Sequence, residues 1–154
     1  MTISNTQNYV TVVGDAMTTT FSYDFYMGGS ATYAQLVFTS AAGATSSITA
    51  SSFSVSGVTN TAGGTFTYPL SGSAITASES LTLYRIVPLQ QSAAVANQGN
   101  LYPAVIENEF DYLTMIDQQQ QTQIEQLEDT VADIEAGEIG DIATGQVLGN
   151  FSGA

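Results

Sequence analysis

Hydrophobic and polar positions follow two different periods along the chain, and the change falls near residue 90. Before it the period is two. Thr18 to Tyr26 alternates cleanly, with Phe21, Tyr23 and Phe25 on one face and Thr20, Ser22 and Asp24 on the other, which is the pattern of a half-buried strand. Further strands are predicted at Tyr9 to Val13, Tyr33 to Thr39, Phe53 to Ser56, Thr65 to Tyr68 and Leu81 to Val87. Gly28-Gly29, Ala42-Gly43, Gly63-Gly64 and Ser71-Gly72 lie where the chain must reverse, because glycine reaches positive φ without steric cost. Six or seven short strands at these spacings predict an antiparallel β-sandwich over residues 1–88.

A polar connection follows over residues 89–104, with neither period, and Pro103 sits close to where a proline is tolerated at a helix start. From Ile106 to Ile134 the period becomes seven. Phe110, Asp117, Ile124 and Val131 occupy one seam position, and Ile106, Leu113, Gln120, Leu127 and Ile134 the other. Such a narrow stripe leaves water only by meeting a partner helix, so a long coiled-coil helix is predicted over residues 105–137. Ala136-Gly137 and Gly140 weaken it at its far end, and residues 138–154 read as a glycine-rich handover to a distal region. The fold class is α+β.

Charge and composition restrict what such a molecule does. The chain has fourteen acidic side chains, a single arginine, and no lysine, histidine or cysteine, for a net charge of −13. Nucleic acid and anionic membrane surfaces are poor partners, since both need clustered Lys or Arg. Without cysteine there are no disulfides, thiolate metal sites or thiol nucleophiles, and without histidine the commonest general base and metal ligand is missing. No cofactor and no enzymatic activity are expected. The opening MTISNTQNYVTVVGD has neither a basic nor an apolar signal region, and no apolar run reaches 18 residues. Residues 1–104 carry Asp15, Asp24 and Glu79 against Arg85, whereas residues 105–154 carry eleven acids and no base. In a parallel bundle these carboxylates are expected to face one another beside the seam, screened over about 8 Å at physiological salt.

Several side chains carry candidate chemistry. Asp117 and Gln120 interrupt the seam. A ring of Gln120 amides shares hydrogen bonds around a symmetry axis, and inward-facing Asp117 carboxylates require either a cation or a wetted, splayed seam. Glu107 and Asp111, four residues apart, could be taken for the paired carboxylates of a glycosidase, but with Glu109 they fall in the first turns of a helix and read as capping and solvation. Phe21, Tyr23, Phe25, Phe53, Phe66 and Tyr68 could line a sugar site; their period-two spacing reads as core.

Leu83-Tyr84-Arg85-Ile86-Val87-Pro88 with Leu89-Gln90-Gln91, then Tyr102-Pro103-Ala104, Ile106-Glu107, Phe110-Asp111-Tyr112-Leu113-Thr114-Met115 and Gln118 together carry a resemblance. The series resembles the N-terminal virion-attachment domain of tail fibres and tailspikes of short-tailed phages of the autographivirus type. It is sharp over residues 81–120 and compatible in strand pattern over residues 9–80. The threonine often found after the proline is missing, and the acid-only stalk is unusual for that family. The resemblance implies a structural virion protein, made in the host cytoplasm. In it three copies clasp one another, the N-terminal domain docks on the tail adaptor or nozzle, and a distal region meets the host surface. The seam alone does not separate dimer from trimer. Arg85 is expected either to contact an acidic tail protein or to be buried in the fold with a carboxylate such as Asp24 or Glu107. Other readings are a short adaptor carrying a separate receptor-binding or depolymerase spike, a fragment of a trimeric bacterial adhesin, and a polysaccharide-degrading enzyme with its catalytic domain further along.

Overall fold

The computed structural model describes residue 3, residues 6–90 and residues 103–143, with side chains to residue 136. Two compact units follow one another along the chain, Met1–Gln119 and Gln120–Ala154.

In the first unit, the seven strands are β1 (Tyr9–Val13), β2 (Thr20–Tyr23), β3 (Ala34–Thr39), β4 (Thr45–Ile48), β5 (Ser54–Ser56), β6 (Gly64–Thr67) and β7 (Ser80–Arg85). They form two antiparallel sheets, one ordered β1-β7-β3-β4 and the other β2-β6-β5. The register explains the core. In the larger sheet Val10, Leu83, Leu36 and Ile48 stand opposite one another in a row crossing all four strands. In the smaller, Phe21, Phe66 and Val55 do the same, the two phenyl rings lying 5.4 Å apart. Both rows enter one hydrophobic cluster with Tyr23, Phe25, Phe53, Ile75 and Leu81, so the sheets close over a single core, as the alternation requires. A long helix, α1 (Pro103–Ala143), follows. The protein is thus α+β, two antiparallel sheets and one C-terminal helix.

Three departures from expectation have a physical reason. Strand β2 ends at Tyr23 instead of continuing to Tyr26 because its partner ends opposite it, at Gly64. The preceding Gly63 has φ +92° and lies so close to β2 that a Cβ there would meet the Tyr23 carbonyl at 2.0 Å. Strand β4, Thr-Ser-Ser-Ile, was not expected, since it lies at a sheet edge with three exposed polar residues and so lacks an alternating pattern. The helix begins at Pro103 and continues through Gly137 and Gly140 to Ala143, past the expected end at 137. Because it begins at Pro103, no acid falls in its first turn; Glu107 and Glu109 lie beyond the reach of the dipole's positive end. The polar crossover from 91 to 102 and the handover from 144 lie outside the described residues.

The turn after β1 carries its own lock. Asp15 accepts hydrogen bonds from the Met17 and Thr18 amides at 2.8 and 2.6 Å and from the Thr18 hydroxyl at 2.6 Å, and so holds Ala16 at φ +60°. The hydrogen bonds from Thr18, side chain first, lower the Asp15 pKa below its ordinary value. A carboxylate with a depressed folded pKa contributes stability above its unfolded pKa and loses it as pH falls through the folded one. Melting Asp15→Asn beside the native chain is therefore expected to show a gap at neutral pH that closes on acidification; a constant gap counts against the lock.

Candidate functional site

Two faces of α1 carry the molecule's distinctive chemistry. The first is docked on the sheets of its own unit. Leu81, Leu83 and Arg85 alternate along β7, so the period that points the two leucines into the core also points the arginine inward. Its side chain is fully buried, at 0% exposure. One terminal guanidinium nitrogen donates to the Tyr26 carbonyl at 2.7 Å and the other to Gln118 Oε1 of α1 at 2.6 Å. Two residues along, the Val87 amide donates to Oε1 of the next glutamine, Gln119, at 2.8 Å. The Tyr112 hydroxyl donates to the Pro88 carbonyl. Met115, only 4% exposed, fills the space beside Gly28, where a Cβ would stand 3.3 Å from its sulfur and 2.8 Å from the Tyr33 ring.

The electrostatics follow from burial. Desolvation pulls the Arg85 pKa down to about 10, while neighbouring Tyr26 acts in the opposite direction. Burial also raises the Tyr26 hydroxyl, helped by Asp111 and Tyr33 and opposed by Arg85. The oxygens that Arg85 reaches are neutral, an amide and a main-chain carbonyl, in place of the carboxylate of Asp24 or Glu107 expected for it. Its Nε has no hydrogen-bond partner among the described residues.

The second face is the apolar seam, on the opposite side of the helix. In the first unit Phe110 and Leu113 are exposed by 64% and 57%, Asp117 is exposed and Ile106 is half-buried. In the second, Gln120, Ile124, Leu127, Val131 and Ile134 are all exposed, and Ile124, Leu127, Val131 and Ala132 line a shallow apolar trough edged by Glu128 and Glu135. Residues three and four apart share a helix face, so the spacing of Tyr112, Met115 and Gln119 marks a second stripe, across the helix from the seam. That stripe accounts for the docked side chains absent from the expected site residues.

The remaining candidates resolve more simply. Asp111 accepts from the Ile3 amide at 3.3 Å, a structural tie. The six aromatic residues considered for a sugar site all belong to the core cluster. Among the described residues no group of three or more His, Cys, Asp or Glu side chains gathers to hold a metal ion, and no helix is long and apolar enough to cross a membrane. No protein-family model matches the chain, and no curated protein matches it. Function therefore rests on the two faces of α1.

Proposed function

We propose that the chain is a structural virion protein, the base of a trimeric tail fibre or tailspike of a short-tailed phage. The sheets attach to the tail adaptor or nozzle, α1 joins two further copies in a coiled-coil stalk, and a distal region contacts the host surface. The observation that carries this reading is the division of α1, whose polar-anchored face is satisfied within its own unit while its heptad seam lies in water. A row of large apolar side chains in solvent is the mark of an interaction surface. Among the residues behind the resemblance, Arg85 meets Gln118 and Pro88 meets Tyr112 across the junction of strand and helix, and Met115 is buried beside Gly28. They serve a fold in which a helix is fixed to a sheet domain with its seam free, and no catalytic role is assigned to any of them.

The flanks of the seam favour parallel strands. Beside it, one flank holds Glu107, Thr114, Gln121, Glu128 and Glu135, and the other Glu109, Ile116, Gln123 and Thr130. In a parallel, in-register bundle each residue of the second flank meets the residue five further on in its neighbour's first flank. Gln123 then meets Glu128, Thr130 meets Glu135 and Glu109 meets Thr114, so these three acids face neutral hydrogen-bonding partners. In that arrangement these carboxylates would not stand directly against one another, and their repulsion would act over longer distances, where salt screens it.

Light scattering after size exclusion tests the reading. A mass three times that of the chain, gaining population as salt rises from low to moderate, is the expected result; a monomer under all conditions removes the seam as an interface between copies. Trimer formation joined with co-purification of a tail adaptor ring would establish the attachment.

A further inference from the structure

Gln118 and Gln119 are adjacent on α1, so their side chains leave the helix about 100° apart. Both nevertheless engage the same short stretch of chain: Gln118 accepts from the Arg85 guanidinium and Gln119 from the main-chain amide of Val87, two residues further on. One such anchor leaves a helix free to roll about its axis, whereas two at different angles fix it. We infer that this glutamine pair is a rotation lock, which holds the start of α1 in the one orientation that keeps the seam turned away from the sheets of its own unit.

The lock has a chemically close competitor, which is why it is needed. The glutamines continue through Gln120 and Gln121. Rolling the helix by one residue would offer Gln119 and Gln120 to Arg85 and Val87, and Leu113 and Ile116 in place of Tyr112 and Met115. That roll exchanges amide for amide and apolar for apolar, but it turns Leu113 and Gln120, both seam positions, onto the protein's own sheets. The Tyr112 hydroxyl on the Pro88 carbonyl is the contact it cannot reproduce. Tyr112 thus selects the register, and Gln118 and Gln119 clamp it. The consequence for assembly rests on the seam reading proposed above; the lock itself does not.

The chain has no cysteine, so Met115→Cys places a single thiol on the locked face, away from the seam. In the full-length chain its reaction with a water-soluble maleimide is expected to be slow. Adding Gln118→Ala and Gln119→Ala should speed it by about tenfold or more, the range set by losing a hydrogen bond to a charged group. Gln118→Glu keeps an acceptor for Arg85 and should leave the thiol protected. Equal labelling with and without the glutamines, in chains whose sheets still melt cooperatively, overturns the lock. Should the double variant fail to fold, Gln119→Met alone gives the same comparison. Light scattering on the same samples separates the two ideas: a Met115→Cys chain that is monomeric but has a protected thiol retains the lock and loses the seam.

Discussion

Aspartate at both Ile124 and Leu127 is expected to abolish self-association while the sheets melt as in the native chain. Both side chains stand in water in the second unit, at 48% and 65% exposure. Neither contributes to the hydrophobic cluster, which is drawn from residues between Val10 and Leu83. Removing them therefore leaves the folded sheets untouched and acts only on what the seam meets. Burying an isoleucine or leucine side chain is worth about 2 kcal/mol. Losing two costs about 4 kcal/mol per protomer, roughly a thousandfold for each chain that joins, because each 1.4 kcal/mol is about a factor of ten. Carboxylates at those positions add repulsion on an already acidic helix. The control adds the same charge elsewhere, at Gln126 and Ala136, on the side of the helix away from the seam. Sedimentation and thermal melting on both pairs settle the matter: if the seam pair and the control associate equally, net charge governs assembly and the seam is not an interface.

That experiment isolates a feature visible in the sequence, and the contrast with the docked face shows where sequence reading stops. A seven-residue repeat is local, so the seam from Ile106 to Ile134 is legible without any fold. The core is nearly as legible, because one face of each buried strand carries its apolar residues: Leu81 and Leu83 alternate into the cluster, as do Phe21 and Tyr23. The same alternation already pointed Arg85 inward. What it met could not be read, because the Tyr26 carbonyl and Gln118 lie 59 and 33 residues away in sequence. Charge reasoning favoured a carboxylate, yet the fold answered a buried cation with neutral oxygens. Strand β4 escaped for the opposite reason: an exposed polar edge strand takes its structure from pairing with Leu36 to Thr39, not from its own pattern.

Arg85→Met is expected to lower the melting temperature by roughly 10 °C, for a loss of about 2–4 kcal/mol. Two terms oppose each other. Methionine fills much of the arginine's volume and avoids burying a charge, which favours the variant. Against that, the Tyr26 carbonyl and Gln118 Oε1 lose a charged donor in a partly buried setting, at about 1–3 kcal/mol each, and a link between β7 and α1 is cut. The second term prevails because two acceptors lose that donor at once. A double-mutant cycle with Gln118→Ala should show coupling above about 1 kcal/mol, and Arg85→Lys should not restore stability, since one ammonium cannot reproduce a forked donor reaching two oxygens. The pH dependence has a definite sign. With a folded pKa lowered to about 10 from its ordinary, higher value, the unfolded chain binds the extra proton above about pH 10. The cost of burying the charge is therefore present at neutral pH and fades as pH rises through about 10, so the native chain gains on Arg85→Met in that window. Melting curves of both chains from neutral to alkaline pH measure it. Native-like stability in Arg85→Met at neutral pH would mean that burial and packing of Tyr112 and Met115 hold the helix unaided, and would move the role of Arg85 from the fold to a contact with another protein.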